Sequence, residues 1–115
     1  MNTSTPDCIF CRIAKKELPT KIIFENDDFV AFNDLKPVSP THILVIPKVH
    51  IKNLWETNDK ELLGKLLLTA KEIAKQQNLT DGFRTVINTG DNGGQTVYHL
   101  HLHVLGGRFH KWPPG

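Results

Sequence analysis

Three histidines alternate with aliphatic residues in Tyr98-His99-Leu100-His101-Leu102-His103-Val104-Leu105. That period of two is the period of an extended strand, whose successive side chains point to opposite faces. His99, His101 and His103 are therefore expected in one row, with Leu100, Leu102 and Val104 facing a core. Neighbouring members of the row start roughly 6.5–7 Å apart, two strand residues per step. Half of the chain's six histidines stand in this row. Imidazole is a nucleophile, a proton shuttle and a metal ligand near neutral pH, so the row is a candidate site. A purification tag is excluded, because tags are uninterrupted and lie outside the hydrophobic pattern.

A chain of 115 residues can build one hydrophobic core and not two. One domain over residues 7–115 is expected, behind a disordered extension of residues 1–6. Apolar content of 39% and charged content of 23% are ordinary for a soluble globular protein. The net charge of +2 is small and its lysines and arginines are scattered, so no basic stripe invites a nucleic acid. No run approaches the ~18 apolar residues that span a membrane. Met1–Pro6 lacks the charged and apolar regions of a signal peptide, and a cytoplasmic protein is expected. In that reducing setting Cys8 and Cys11, spaced C-x-x-C, do not read as a structural disulfide. The βαβ surroundings of a thioredoxin-like pair are missing as well.

The remaining pattern predicts few elements. Asp7 is positioned to cap a short helix over Cys8–Lys15, with Ile9 and Ile13 on one face. Strands are expected over Lys21–Glu25 and Phe29–Asn33, around the turn residues Glu25–Asp28. Lys36-Pro37-Val38-Ser39-Pro40 reads as a stiff loop and Thr41–Pro47 as a buried strand. Asn58 and Glu61 resemble a capping box opening a long helix to about Asn78. Its apolar stripe is Leu62, Leu66, Ala70 and Ile73, with Leu63, Leu67 and Ala74. Phe83–Asn88 is a further strand, before a Gly-rich loop and the histidine strand. Five strands, one long and one short helix, and no βαβ alternation predict an α+β domain with an antiparallel sheet.

The loop Gly90-Asp91-Asn92-Gly93-Gly94-Gln95-Thr96 runs into the histidine row. Glycines let backbone N–H groups converge on an anion, although a plain hairpin turn has the same composition. The loop lacks the Lys-Ser/Thr ending of a P-loop. An anion site beside imidazoles suggests phosphoryl or nucleotidyl transfer. Two chemistries fit: an H-x-H pair holding a metal with an open water position, or a middle histidine that attacks phosphorus and forms a covalent intermediate.

His99-Leu100-His101-Leu102-His103-Val104-Leu105 resembles the signature of the histidine triad superfamily of nucleotide hydrolases and transferases. Pro40-Thr41-His42, Val45-Ile46-Pro47-Lys48, Gly93-Gly94-Gln95, Gly106-Gly107-Arg108 and Trp112-Pro113-Pro114-Gly115 are similar to its Hint branch. The resemblance runs from about Asp7 to the end of the chain. It implies a homodimeric purine nucleoside phosphoramidase that hydrolyses the P–N bond of adenosine or guanosine 5′-phosphoramidates, adenylated lysine included. His101 then corresponds to the nucleophile, His103 to the neighbour of phosphate and leaving group, and His42 to the supporting network. Asn88, Gly94, Gln95 and Thr96 match phosphate-side or leaving-group-side positions, Thr96 standing where Ser is commoner. Asp34 matches the carboxylate for the ribose hydroxyls, while Ile9, Phe10, Phe32 and Leu35 match the wall of the base pocket. Without the resemblance, Phe10 and Phe32 read as core residues and Asp34 as a turn residue. No metal is needed for this chemistry.

The cysteine pair departs from animal Hint proteins. Two cysteines on one helical turn and two distant histidines suit a closed, structural Cys₂His₂ zinc site. The resemblance to bacterial members implies His50 and His99 as partners of Cys8 and Cys11. His110 reads as a solvated residue. Competing functions are a dinucleoside polyphosphate hydrolase of the same superfamily, a metallohydrolase with open zinc on His99 and His101, and a nucleotide-binding or scaffolding protein.

Overall fold

Thr41–Pro47 is apolar at nearly every position, as a strand buried on both faces must be, and it lies at the centre of the sheet. The computed structural model describes Thr5 and residues 7–115; the expectation of a disordered extension at residues 1–4 and 6 falls outside the described residues. The elements in order are α1 (Ile9–Ala14), β1 (Phe24–Glu25), β2 (Phe29–Asn33), β3 (Thr41–Pro47), a 3₁₀ turn (Leu54–Glu56), α2 (Lys60–Gln76), β4 (Arg84–Val86) and β5 (Leu102–Gly106). The strands form one antiparallel sheet in the order β1-β2-β3-β5-β4.

Both faces of the sheet are covered, by helices of very different length. Phe29, Ala31, Ile43, Val45, Leu102 and Val104 pack with Leu66, Ala70, Ile73 and Ala74 of α2. The alternate residues of β2 and β3, Val30, Phe32, Leu44 and Ile46, pack with Phe10 and Ile13 of α1. Alternation therefore sends Leu102 and Val104 to the α2 face and leaves the histidines on the α1 face, where Phe10 meets His101 edge-on with ring centroids 5.1 Å apart. Among the described residues no helix is long and apolar enough to cross a membrane.

Several boundaries differ from expectation for local reasons. Helix α1 is capped by Cys8, not Asp7: Cys8 has extended backbone and its Sγ accepts the Cys11 N–H at 3.3 Å. Asp59, one residue beyond Asn58, caps α2 by accepting the Leu62 N–H at 3.0 Å, a carboxylate being favoured at a helix N-terminus. Leu67 turns out of the stripe and is 53% exposed beside Leu68 at 64%. The edge strands β1 and β4 are shorter than their apolar runs. The histidine strand begins only at Leu102. Continuing the β3–β5 register would set Pro47 opposite Leu100, and proline has no N–H for the ladder. The Leu100 N–H goes to the Ile51 carbonyl at 2.6 Å instead.

Candidate active site and metal centre

The histidine row is two sites, not one. His103 faces His42 from the neighbouring strand β3, with His42 Nε2 2.8 Å from His103 Nδ1. The Val38 N–H donates to His42 Nδ1 at 3.1 Å. That nitrogen is thus an acceptor, and the proton of neutral His42 sits on Nε2. Nε2–H donates to His103 Nδ1, with the Asp34 carboxylate as a longer second neighbour at 3.4 Å. Burial, with the nearby His101 and His42, pushes His103 down to about 4, so it is neutral at physiological pH. Its Nδ1 being an acceptor, its own proton is on Nε2.

His101 has the opposite arrangement. Its Nδ1 lies 2.7 Å from the His99 carbonyl, which can only accept, so Nδ1 carries the proton and Nε2 carries the lone pair. Burial lowers its pKa below the ordinary imidazole range. The rings of His101 and His103 are 5.1 Å apart. One row therefore presents a bare nitrogen next to a protonated one, a pairing that suits nucleophilic attack beside a hydrogen-bond donor to the leaving group.

His99 is fully buried and belongs to the second site. Its Nε2–H donates to the Pro47 carbonyl at 2.8 Å, leaving the Nδ1 lone pair facing Cys8 Sγ at 3.3 Å and Cys11 Sγ at 3.4 Å. His50 Nδ1 lies 3.2 Å from Cys11 Sγ. All four ligand atoms lie within 4.8 Å of one another. A tetrahedral zinc with ordinary bond lengths places sulfur and nitrogen ligands about 3.5 Å apart, so the donor set and its spacing fit such an ion. Burial pushes the Cys11 thiol up and holds His99 down at about 4. A cation would bind there by displacing thiol protons while meeting an imidazole already neutral. The open-zinc alternative on His99 and His101 is corrected: His99 turns its free nitrogen to the cysteines, and His101 commits Nδ1 to a carbonyl.

Asp34, His42 and His103 also lie close enough to suggest a cation. The 2.8 Å between the two nitrogens is shorter than the roughly 3.3 Å between nitrogen ligands of a tetrahedral zinc. A proton already occupies that gap.

The Gly-rich loop is more self-contained than its sequence implies. The N–H groups of Gly93 and Gln95 go to the Gly90 carbonyl, and that of Gly94 to Asp91; Gly90 N–H goes to Gln95 Oε1 at 2.9 Å. The expected convergence of these amides on an anion is corrected, since the turn itself consumes them. Gly94 has φ +82° and supplies the backbone reversal. Gln95 is buried: besides Gly90, its Oε1 accepts from Asn53 at 3.2 Å, and its Nε2 donates to the Lys52 and Val97 carbonyls. Its amide holds the loop in place and has no donor to spare for substrate. Asn88 donates to the Gly93 carbonyl at 2.7 Å, and Thr96 is exposed.

Phe10 and Phe32 are buried in edge-to-face contact beneath the histidines. Their burial matches the reading as core residues. Ile9 and Leu35 are exposed, Leu35 almost entirely. Asp34 also accepts the Lys36 N–H at 2.7 Å. His110 is not merely solvated, since its Nε2 lies 2.7 Å from Oγ of the buried Ser39. Asn53, unremarked in the sequence, both caps the 3₁₀ turn and holds Gln95. Its one local signal is the Asx geometry that a lone Asn before Leu54–Glu56 permits.

Comparison with known proteins agrees with this geometry. The chain is 58% identical over 111 residues to an uncharacterized HIT-like protein of Synechococcus elongatus, covering 95% of this chain and 97% of that one. It is 48% identical over 113 residues to the 14 kDa zinc-binding protein of Brassica juncea, covering 95% and 100%. The crystal structure of a HIT family hydrolase from Legionella pneumophila matches with a TM-score of 0.92 at 47% identity, over 95% of this chain and 100% of that one. A family model described as the HIT domain matches residues 15–110, and the chain belongs to that family.

Proposed function

We propose that the protein hydrolyses the P–N bond of purine nucleoside 5′-phosphoramidates through a nucleotidyl-His101 intermediate. The observation that carries this reading is the tautomer of His101: Nδ1–H is tied to the His99 carbonyl at 2.7 Å, which leaves Nε2 to attack phosphorus. As the P–N bond breaks, His103 Nε2–H donates a hydrogen bond to the departing nitrogen, held in that direction by His42 through the 2.8 Å contact, and a water supplies the proton with which the amine leaves. The hydroxide left from that water then attacks phosphorus, His101 leaves with its Nε2 lone pair restored, and the nucleoside monophosphate is released. The products are one amine and one nucleotide per water consumed. Asp34 is assigned to the ribose hydroxyls, Phe10, Phe32, Ile9 and Leu35 to the base, and Asn88, Gly94, Gln95 and Thr96 to the phosphate side, Gly94 and Gln95 by shaping the loop. The hydrolase name of the Legionella relative supports the reaction class.

Zinc is assigned to Cys8, Cys11, His50 and His99. The zinc-binding name of the Brassica relative supports it. Four protein ligands close the coordination shell, so the metal supplies stability and activates no water. A homodimer is proposed from the exposed Leu67 and Leu68 of α2 together with Phe83, Phe109 and Trp112. A cavity of about 600 Å³ adjoins Phe83 and Phe109, and a symmetric partner would cover such apolar surface. The cytosol is the compartment that keeps the cysteines available as ligands.

The test is turnover of adenosine phosphoramidate, with the enzyme quenched in base and the modified residue mapped by mass spectrometry. Amine release with the nucleotidyl group on His101 is expected. No release, or a label on another residue, overturns the reading.

A further inference from the structure

The segment that follows β5 is tied to the loop that follows β2, and the tie ends on the proton relay. Arg108 donates to the Val38 carbonyl from Nε at 3.3 Å and from Nη2 at 3.1 Å. On the other side of the same residue, the Val38 N–H donates to His42 Nδ1 at 3.1 Å. Next along the loop, Ser39 is buried and its hydroxyl meets His110 at 2.7 Å. Arg84 of β4 in turn holds the His110 and Lys111 carbonyls at 3.2 and 2.7 Å. Gly107 makes the approach possible. Its φ is +88°, and a Cβ there would sit 2.8 Å from Pro40 Cβ. The loop is stiffened by Pro37 and Pro40, whose rings fix φ. Val38, between them, is therefore held from outside on its carbonyl side and spends its N–H on His42.

We propose that Arg108 is a positioning residue, which by clamping the Val38 carbonyl keeps the Val38 N–H on His42 Nδ1 and so fixes the tautomer of the His42–His103 relay. The inference rests on the reading that His103 Nε2–H, directed by His42, faces the leaving group. If the clamp loosens, His42 Nδ1 loses its donor, and the ring is free to carry its proton there. His42 Nε2 then has no proton to give His103, and His103 in turn has no reason to keep its own on the substrate side. Arg108 contacts neither imidazole. It acts through one backbone residue.

The experiment compares wild type, Arg108→Ala and Arg108→Lys by imidazole ¹⁵N NMR and by steady-state turnover of adenosine phosphoramidate. In wild type the His42 shifts should be those of a ring protonated on Nε2. In Arg108→Ala they should move toward a mixture of the two tautomers, and in Arg108→Lys, which keeps a donor, partly return. kcat should fall roughly tenfold in the alanine variant with KM within about twofold, well short of the ~10⁴-fold cost of a fully wrong tautomer in a serine protease. Unchanged His42 shifts in Arg108→Ala, or an effect on KM alone, overturns the proposal. Should the alanine variant not fold, the lysine variant is read against the same tautomer criterion. The NMR result needs no turnover, so a wild type that shows this tautomer yet releases no amine counts against the reaction assigned above and not against the clamp.

Discussion

Two clusters of titratable side chains lie on the same face of the sheet, and they are built around different things. Cys8, Cys11, His50 and His99 surround a gap in which sulfur and nitrogen stand 3.2–3.4 Å apart. Asp34, His42 and His103 close on a proton, with nitrogen 2.8 Å from nitrogen. In both, a backbone group fixes which ring nitrogen is bare. The Pro47 carbonyl takes the proton side of His99, whereas the Val38 N–H takes the lone-pair side of His42. In His99 the carbonyl leaves Nδ1 bare toward the thiols, and in His42 the amide leaves Nε2–H aimed at the second ring. Composition alone does not distinguish such clusters; the second partner of each ring does.

The separation of roles breaks if a change in one cluster moves the observable of the other. His101→Ala should have the largest effect, a fall in kcat on the order of 10⁴-fold, with nucleoside monophosphate binding by calorimetry retained and cation content unchanged. A variant within tenfold of wild type would remove His101 as nucleophile. Chelation, or Cys11→Ala, should act on stability. Loss of a ligand held at about a hundred times its Kd costs about 2.7 kcal/mol, a fall in Tm of about 10 °C or more for a domain of this size. The fraction still folded should turn over at nearly the original rate. Activity lost in step with the metal at temperatures where the protein stays folded would merge the two clusters.

Acid should separate them next. Burial holds His103 at about 4 against about 6.5 in an unfolded chain. Between those values the unfolded state binds the extra proton, so stability is full above about 6.5 and is lost as pH falls toward 4. His103 stays neutral through most of that window in the folded protein, and its imidazole ¹⁵N shifts should titrate with a midpoint well below 6.5. Cation affinity, which requires thiolates, should weaken steadily over the same range. A His103 midpoint at 6.5 or above would contradict its buried, neutral state. The smallest effect is expected from Asn53→Ala. Losing its bonds to Gln95 and the 3₁₀ turn should cost about 1 kcal/mol in urea denaturation, with the metal content untouched.

Much of this was legible because it is periodic. β2 and β3 matched their apolar runs residue for residue, and the alternation of histidines with Leu100, Leu102 and Val104 assigned the correct faces. Cys8 and Cys11 carried a spacing with a mechanism, and the resemblance named His50 and His99 as their partners. What stayed hidden is set by single hydrogen bonds between distant parts of the chain. Nothing in Gln95 reveals that its amide is consumed by Asn53, Lys52, Gly90 and Val97. Nothing in His110 reveals Ser39. The loop glycines signalled a turn correctly, but composition does not say whether a turn spends its amides on itself. Edge strands were overestimated, since an apolar run such as Lys21–Glu25 does not show where its pairing partner stops.

Pro47 gives this arrangement a cause in covalent structure. A proline near the end of a strand is ordinarily read as punctuation, and here it parts two neighbouring rings. Because the ladder stops there, the chain bends before Leu102. His99 leaves the regular pleat for the interior, while its carbonyl stays within reach of His101. An alanine at position 47 would restore the missing amide and allow Leu100 to pair, lengthening β5 toward its N-terminus. The added pairing would compete with the bend for the same residues. The gain in sheet would come at the expense of a side chain that answers to one neighbour and a backbone that answers to another, within a single residue.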